Sequence, residues 1–181
     1  MGADGRERAW VRGARAGRVE DFDSLFRHHW PRAYRAAYLV VHDAAAAEDI
    51  AQEAFLAAIR SLDRFDRRRP FGPWLHRIVV NRAIDWARAR ALRRETGEPR
   101  FGEWDEDTEE NVRVGNPIPE DIAGGLRSLS PEHRAVVVLR YLLDYTPGEI
   151  AEVLDLPRGT VNSRLRRGLD HLEEIIDRRR S

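Results

Sequence analysis

The sequence contains no cysteine and no lysine. Without cysteine the chain has no disulfides, no thiolate metal ligands and no cysteine nucleophile. Its longest uninterrupted apolar stretches, such as residues 36–41, are far shorter than the roughly 20 residues that span a bilayer. Asp4, Arg6 and Glu7 interrupt any early apolar run that would indicate a signal peptide. We therefore expect a cytoplasmic protein without membrane insertion.

The formal net charge is zero, because 31 arginines balance 31 acidic side chains, but the charges are unevenly distributed. Residues 1–97 carry a net +6, residues 98–124 a net −7 and residues 125–181 a net +1. The acidic middle segment leads into Gly115, Asn116 and Pro117, which is typical of a linker. The distribution predicts a basic domain over 1–97, a flexible acidic linker over 98–124 and a second domain over 125–181.

Apolar residues recur at spacings of three and four along most of the chain, which indicates an all-α fold. The pattern predicts helices over 44–62 and from about Pro73 to Arg94. An earlier helix ends near Val41, and Pro31 is expected to kink or restart it. No segment alternates as a strand would. We therefore predict an all-α protein with two small helical domains.

The last third of the chain contains clear signals for helix starts. Ser130 precedes Pro131, the arrangement of an N-cap followed by proline at the first helical position. Thr146 and Glu149 have the spacing of a capping box. A short helix, a turn over 156–159 and a longer helix from about Thr160 then follow, which is the outline of a helix-turn-helix.

Polar side chains crowd the start of this last helix, where a recognition helix contacts bases and phosphates in the major groove. They are Arg158, Thr160, Asn162, Ser163, Arg164, Arg166 and Arg167. The alternative is a solvated polar face, since some helix-turn-helix proteins bind no DNA.

A second candidate surface lies in the basic stretch 60–94, which holds 11 arginines and three acids. Its polar residues on the predicted helix are Arg77, Asn81, Arg82, Asp85 and Arg88. Phe65, Phe71 and Trp74 precede them. Aromatic rings among arginines suit single-stranded nucleic acid, because unpaired bases stack on the rings while arginine neutralises phosphates. The alternative is that these rings anchor the core.

The sequence gives little support for a catalytic site or a metal site. Glu48, Asp49, Gln52 and Glu53 form an acidic helix face, which is either solvated or a site for a protein partner. The six histidines show no catalytic spacing. His28 and His29 are adjacent and are expected to diverge around a helix. We therefore predict no catalytic residues, no metal and no cofactor, and a protein that is not an enzyme.

Three motifs in order resemble a known family. Residues 42–55, HDAAAAEDIAQEAF, are similar to the core-binding segment of the extracytoplasmic-function (ECF) sigma factors of the bacterial sigma-70 family. Residues 71–88, FGPWLHRIVVNRAIDWAR, resemble that family's promoter-melting and −10 segments. Residues 129–141, 146–151 and 158–167 resemble its region 4, which reads the −35 element. The resemblance implies an alternative sigma factor that binds core RNA polymerase, recognises both promoter elements and promotes DNA melting.

The resemblance also implies partners and roles for particular residues. The docking segment contacts the clamp helices of the polymerase largest subunit, and region 4 contacts the flap of the second-largest subunit. Promoter DNA and an anti-sigma factor are the other expected partners. The loop over 65–71 is expected to shape a pocket for an unstacked base. The docking residues are Asp49, Gln52, Glu53 and Phe55; the −10 residues are Arg77, Asn81, Arg82, Asp85 and Arg88; the −35 residues are the seven of the last helix.

Two alternatives remain open at this point. A sigma-like decoy would bind an anti-sigma factor without reading promoters, and a stand-alone helix-turn-helix regulator would ignore polymerase. The chain also departs from the family pattern. Asn162 stands where many relatives carry Lys or Arg. Gly168 is expected to weaken an interior helix position by roughly 1 kcal/mol relative to Ala.

Overall fold

The computed structural model describes residues 3–95 and 119–180, and within them the regular structure is helical. The all-α prediction is therefore confirmed. The helices are α1 (Ala3–Arg15), α2 (Val19–Val41), α3 (Ala44–Arg60), a 3₁₀ turn (Leu62–Arg64), α4 (Phe71–Glu95), α5 (Glu120–Ser128), α6 (Pro131–Val137) with a π-helical continuation (Val138–Leu142), α7 (Pro147–Leu154) and α8 (Arg158–Arg180).

The first four helices form a bundle around α2. The chain reverses between α2 and α3 at His42, which takes a left-handed conformation with φ of 51°. Asp43 then caps α3, because its side chain accepts the N–H of Ala46 at 3.0 Å. The reversal brings α2, α3 and α4 together around small residues such as Ala36 and Ala54, which let the helices approach closely.

Two local features of this bundle differ from the sequence pattern. Pro31 lies inside α2, which continues through it rather than restarting. This proline is exposed, so the amide hydrogen bond that it lacks lies on the solvent side of the helix. Helix α1 was not anticipated, since charges dominate its sequence; it is held to the bundle by buried Val11 and Ala14.

The helices α6 and α7 begin at the capping residues that the sequence predicts. Ser130 caps α6, and Thr146 with Glu149 completes a capping box at α7. The end of α6 widens into a π-helical turn, where Leu143 N–H bonds to the Val138 carbonyl at 3.1 Å. Helix α8 then packs across α6 and also contacts α5 and α7.

The two groups of helices pack directly against each other, because α6 and α7 contact α4 while α6 also contacts α2. Buried residues of both groups join one apolar core, with Val40 and Val80 on one side and Val136 and Leu139 on the other. The predicted boundary after residue 124 falls inside α5, and most of the predicted acidic linker lies outside the described residues. No helix in 3–95 or 119–180 is long and apolar enough to span a membrane.

Candidate nucleic-acid interface

The predicted −10 residues lie along α4, and their arginines are paired with carboxylates. Arg82 Nη1 lies 2.6 Å from Glu53 Oε2 of α3. Arg77 Nη2 lies 3.2 Å from Asp155 Oδ2, and Arg88 Nε donates to Glu132 Oε1 at 2.5 Å. The last two pairs therefore cross from α4 to the C-terminal helices.

The remaining two −10 residues face solvent to different degrees. Asp85 is exposed and lies 3.6 Å from Arg88, and Asn81 is half-buried. Further along the same helix, Arg90 stacks over the Trp86 ring at 5.0 Å from its centroid. Helix α4 thus presents amide, carboxylate, guanidinium and aromatic groups together, a set that suits hydrogen bonding and stacking with an unpaired base.

The aromatic residues of the loop before α4 and of its first turn pack together at the core rather than forming a stacking platform. Phe65 and Phe71 are buried, and their ring centroids lie 5.8 Å apart. Trp74 completes the cluster at 4.7 Å from Phe65. Of the two interpretations of these rings, stacking on nucleic acid or anchoring of the core, the second applies to Phe65 and Phe71.

A cavity of about 180 Å³ lies between α1 and the loop after the 3₁₀ turn. Sequence reasoning expected this loop to shape a pocket but did not name the opposite wall, which α1 supplies. The lining includes four arginines and two aromatic rings: Arg8, Arg12, Arg67, Arg69, Phe65 and Phe71. The lining also includes the carboxylate of Glu7, so positive and negative side chains meet at this cavity.

The predicted docking face of α3 is divided between surface and core. Asp49, Gln52 and Glu53 are exposed, whereas Phe55 is only 4% exposed and packs against Phe26 with centroids 4.9 Å apart. Phe55 is therefore part of the bundle core and does not lie on this surface. Its neighbour Leu56 is 51% exposed. Sequence reasoning missed Leu56, although an apolar side chain in register with Gln52 and Glu53 is the available signal.

The start of α8 is exposed in the way a recognition helix requires. Val161 and Leu165 face the core, and they orient the polar residues between them outward. Ser163 Oγ donates to the Thr160 carbonyl at 2.9 Å. Arg158, Asn162, Arg166 and Arg167 are exposed, while Thr160, Ser163 and Arg164 are half-buried. The seven predicted −35 residues thus lie within the first three turns of α8.

One cluster differs from the expectation for histidines. His28 and His29 do not diverge completely, because both rings approach Glu7 of α1, with ligand atoms within 4.8 Å of one another. His29 Nε2 lies 3.1 Å from one Glu7 oxygen, and the other oxygen accepts the Phe71 N–H at 2.8 Å. The hydrogen bond with His29 lowers the pKa of Glu7, although partial burial opposes this. We assign the cluster to polar contacts of Glu7 with His29 and with the Phe71 N–H, which fasten α1 to α2 and α4.

Comparisons with known families agree with this arrangement. The family described as Sigma-70 region 2 matches residues 25–93, which include α3 and most of α4. The family described as Sigma-70, region 4 matches residues 120–172, which run from α5 into α8.

Three curated relatives are described as RNA polymerase sigma factors, SigE and SigL also as ECF factors. The ECF RNA polymerase sigma factor SigE of Mycolicibacterium smegmatis is 34% identical over 87% of this chain, which spans 62% of that longer relative. SigL of Mycobacterium tuberculosis is 33% identical over 87% of this chain and 89% of its own length. CarQ of Myxococcus xanthus is 32% identical over 90% of this chain and 92% of its own.

Two solved structures are similar in fold. CnrH in complex with the cytosolic domain of CnrY has a TM-score of 0.69 and 28% identity, covering 95% of this chain and 97% of that one. The sigma factor RpoE in complex with the anti-sigma factor NepR from Bartonella quintana also has a TM-score of 0.69, with coverages of 88% and 98%. Its identity is 21%, so it supports the fold alone.

Proposed function

Since this chain belongs to the ECF sigma factors of the sigma-70 family, we propose that its two groups of helices divide promoter recognition between the −10 and −35 elements. The protein is an alternative sigma factor, a DNA-binding initiation factor that binds core RNA polymerase. It carries out no bond chemistry itself. It acts by binding at three surfaces: one for core polymerase, one for the −10 element and one for the −35 element. The residues assigned to each surface are proposals.

The −10 element is read by α4, on whose surface Arg77, Asn81, Arg82, Asp85 and Arg88 lie. An unstacked base of the non-template strand is held by hydrogen bonds to Asn81 and Asp85, while the arginines neutralise phosphates. Capturing an extruded base costs a few kcal/mol of stacking, which these contacts offset. The lining of the arginine-lined cavity beside the loop over 65–71 contains neither Asn81 nor Asp85, so the expected contribution of this loop to the base pocket stays a prediction.

The −35 element is read by the start of α8 in the major groove. Arg164, Arg166 and Arg167 contact guanine edges or phosphates, and Asn162 is suited to adenine. Arg158, Thr160 and Ser163 anchor the helix to the backbone of the duplex. The exposed N-terminal turns of this helix, held outward by Val161 and Leu165, are the observation that supports this proposal.

Core polymerase docks on α3 through Asp49, Gln52 and Glu53, and Leu56 replaces Phe55 as the apolar contact. An exposed leucine beside acidic side chains supplies the combination of apolar centre and polar rim that protein interfaces use. The partner surface is the clamp helices of the largest subunit, and the flap of the second-largest subunit receives the C-terminal helices.

An anti-sigma factor is the remaining proposed partner. RpoE of Bartonella quintana was solved with such a partner, and CnrH with the cytosolic domain of CnrY. We place the protein in the cytoplasm, where polymerase and promoter DNA are found. A stand-alone helix-turn-helix regulator does not account for the region 2 match over 25–93.

The function is tested by reconstituted transcription with core polymerase and a library of promoters. Added protein is expected to direct initiation at a subset, and Asn81→Ala is expected to reduce initiation there by about tenfold or more through the lost base contact. The matched control is Val19→Ala, a truncation to the same residue at an exposed position at the start of α2, which belongs to none of the three proposed residue sets. Failure of the protein to direct initiation at any promoter would contradict the proposal.

Docking is tested separately by pull-down of core polymerase. Asp49→Ala combined with Leu56→Ala is expected to weaken retention, because it removes a charge and an apolar contact from one face. Phe55→Leu serves as the comparison, since a conservative core change should leave this face intact. Equal retention of core polymerase by wild type and the double variant would contradict the assignment of α3.

A further inference from the structure

A carboxylate and two imidazoles meet where α1 packs on α2. Glu7 of α1 approaches His28 and His29 of α2, and one potential ligand atom from each residue lies within 4.8 Å of the other two. Imidazole nitrogens and carboxylate oxygens are common ligands of divalent transition metals in proteins. The spacing of residues along the sequence does not predict this group, because Glu7 belongs to another helix and only the fold brings it to the histidines.

The Glu7 carboxylate is held with one oxygen turned toward the histidines. Its Oε1 atom accepts the Phe71 N–H at 2.8 Å, and its Oε2 atom lies 3.1 Å from His29 Nε2. The Phe71 amide thus orients the carboxylate, as outer hydrogen bonds orient metal ligands. Two ligand atoms of a tetrahedral zinc site are about 3.3 Å apart, since each metal–ligand bond is about 2.0–2.1 Å long. The Glu7 and His29 atoms therefore already have the spacing of a shared metal ion.

The His29 ring is fixed in place and directs a buried nitrogen at the site. His29 is 7% exposed, and its ring centroid lies 5.1 Å from that of Phe71. A Cβ added at Gly72 would lie 3.3 Å from His29 Cε1, so glycine lets the ring lie against the start of α4. Within the described residues, Nε2 is shielded from solvent and has no well-aligned hydrogen-bond partner. Buried polar atoms are normally satisfied, and a metal ion bonded to Nε2 would satisfy this one.

His28 supplies the third ligand from the solvent side. It is exposed, and its ring centroid lies 5.6 Å from that of Trp10 and 4.7 Å from that of His29. An exposed side chain changes rotamer readily, so His28 can adjust its distance to the ion while Glu7 and His29 stay in place. Its exposure also gives water access to complete the coordination, as in zinc sites with three protein ligands.

The ligand set selects the class of metal. Two imidazoles and a carboxylate suit Zn²⁺ and its neighbours Co²⁺, Ni²⁺ and Cu²⁺, whereas Mg²⁺ and Ca²⁺ prefer sites built from oxygen ligands. The cavity that Glu7 lines is also lined by Arg8, Arg12, Arg67 and Arg69, whose positive charges repel a cation. An ion held here must therefore form strong bonds to nitrogen, since electrostatic attraction alone is opposed by these arginines.

We propose that Glu7, His28 and His29 form a binding site for Zn²⁺ or a similar divalent transition metal, which joins α1 to α2. The bound ion replaces the contact between Glu7 and His29 by two metal–ligand bonds and adds His28 to the joint. Because charges dominate the sequence of α1, which is held by buried Val11 and Ala14, the ion strengthens the attachment of this helix. The site does not rest on the proposed contacts with promoter DNA or polymerase.

Metal binding is tested on the full chain after a chelator has removed any metal. Zn²⁺ is titrated into the protein by calorimetry, which gives the affinity and the number of ions bound. Co²⁺ is added in a parallel titration, because its visible absorption reports the number of ligands around it. We expect one ion per chain and the absorption of a four-coordinate cobalt ion, with three ligands from the protein and one from water.

Two ligand variants are compared with matched controls. Glu7→Gln keeps an oxygen that can accept the Phe71 N–H, and His28→Asn changes an exposed side chain, so both retain the fold. The controls Glu20→Gln and His171→Asn make the same changes at exposed positions of α2 and α8 outside the cluster. Each ligand variant is expected to bind Zn²⁺ about tenfold or more weakly, since the loss of even an outer partner of a metal ligand costs that much. The controls should bind as the wild type does.

Hydrogen exchange of the α1 amides tests whether the ion joins the two helices. Saturating Zn²⁺ is expected to slow exchange over Ala3–Arg15 in the wild type, because a ligand that binds only the docked helix stabilises the docked state. In His28→Asn the same Zn²⁺ concentration should slow exchange less. The absence of Zn²⁺ binding to the wild type, or an affinity that either ligand variant leaves unchanged, would overturn the proposal. So would Zn²⁺ binding that leaves the exchange of α1 unchanged.

Discussion

Arg134 is a buried guanidinium that holds the end of α5 and reaches across to the first bundle. It donates to the carbonyls of Leu126 at 2.7 Å and of Arg127 and Leu129 at 2.9 Å. Its remaining nitrogen donates to the Val40 carbonyl at 2.5 Å. Since the last carbonyls of a helix lack intrahelical partners and carry partial negative charge, one planar fork satisfies several of them together.

Replacing this fork by a single ammonium should be costly even though the charge is kept. For Arg134→Lys we expect the free energy of unfolding to fall by about 2–4 kcal/mol, because Lys cannot reach four separated carbonyls. Urea denaturation followed by circular dichroism measures this. Arg166→Lys on the exposed face of α8 is the matched control and should change stability by about 0.5 kcal/mol or less. Equal midpoints for the two variants would contradict the role of Arg134.

His42 and His76 are buried and give the fold an acid-sensitive stability. Burial, followed by the nearby positive charges of Arg134 for His42 and Arg32 for His76, lowers each pKa from 6.5 to about 3. The unfolded chain therefore takes up two protons near pH 6.5 that the folded chain refuses until about pH 3. Their contribution to stability is complete above pH 6.5 and is lost as the pH falls toward 3.

We expect the free energy of unfolding to decline on acidification below pH 6.5, by up to roughly 1.4 kcal/mol per pH unit for each histidine. His76→Gln should reduce this slope by about one proton, and His42→Gln should do the same. Urea titrations at a series of pH values between 7.5 and 5 give the slopes. A slope that neither substitution changes would show that other groups cause the acid sensitivity.

At the scale of the helices, the sequence predicts the features that short-range interactions determine. Ser130 and Thr146 mark the starts of α6 and α7, since a hydroxyl that accepts a nearby backbone N–H acts within one helical turn. Phe55 was misplaced for the opposite reason. It was placed among the docking residues, whereas in the structure it lies on the face of α3 that packs against the core.

Other elements depend on contacts that the sequence does not encode locally. Helix α1 is rich in charges, and it is stabilised by packing on α2 and by the contact between Glu7 and His29. The π-helical turn over Val138–Leu142 leads to Tyr145, whose hydroxyl lies 2.5 Å from Nδ1 of the distant residue His76. The spacing of apolar residues along a helix does not predict the contact of Glu7 with His29 or that of Tyr145 with His76, because the two residues of each pair are distant in sequence.

Gly168 shows how packing changes the expectation from helix propensity. It is buried where α8 crosses α6, and an added Cβ would lie 3.0 Å from Val137 Cγ2 and 3.8 Å from the His133 carbonyl. Glycine at this position therefore permits close approach of the two helices, and that compensates for the roughly 1 kcal/mol of helix propensity it loses relative to alanine.

The corresponding prediction is a coupling between Gly168 and Val137. Gly168→Ala is expected to stabilise the wild type by less than about 0.5 kcal/mol, because the new methyl group crowds Val137. In the Val137→Ala background the same change should be more favourable by about 1 kcal/mol, since the crowding atom is gone. Urea denaturation of the four proteins of this cycle measures the coupling. Additive effects would indicate that the helices shift apart without cost.

At the scale of the whole molecule, the zero net charge is the sum of +6 over residues 1–97, −7 over 98–124 and +1 over 125–181. The sequence indicated the positive stretch over 60–94 and the polar start of α8, and the structure places both on described surfaces. It did not indicate that α6 and α7 pack over α4, because Glu132 and Asp155 look like ordinary solvated acids. Complementary charge becomes informative only when the fold brings the two surfaces together.

The salt dependence of promoter binding separates arginines that contact phosphates from those that do not. Each arginine–phosphate contact releases counterions, so the slope of log Kobs against log salt should become less negative by about 0.9 for each contact removed. We expect this change for Arg166→Gln and Arg167→Gln, which are exposed at the start of α8. Arg178→Gln is the control, because Arg178 lies near the far end of α8 and pairs with Glu174 at 3.3 Å. Holoenzyme bound to a duplex promoter, titrated with potassium chloride, gives the slopes. A slope change at Arg178 equal to that at Arg166 would mean that the arginines act through net charge, and the recognition role of the helix start would then be wrong.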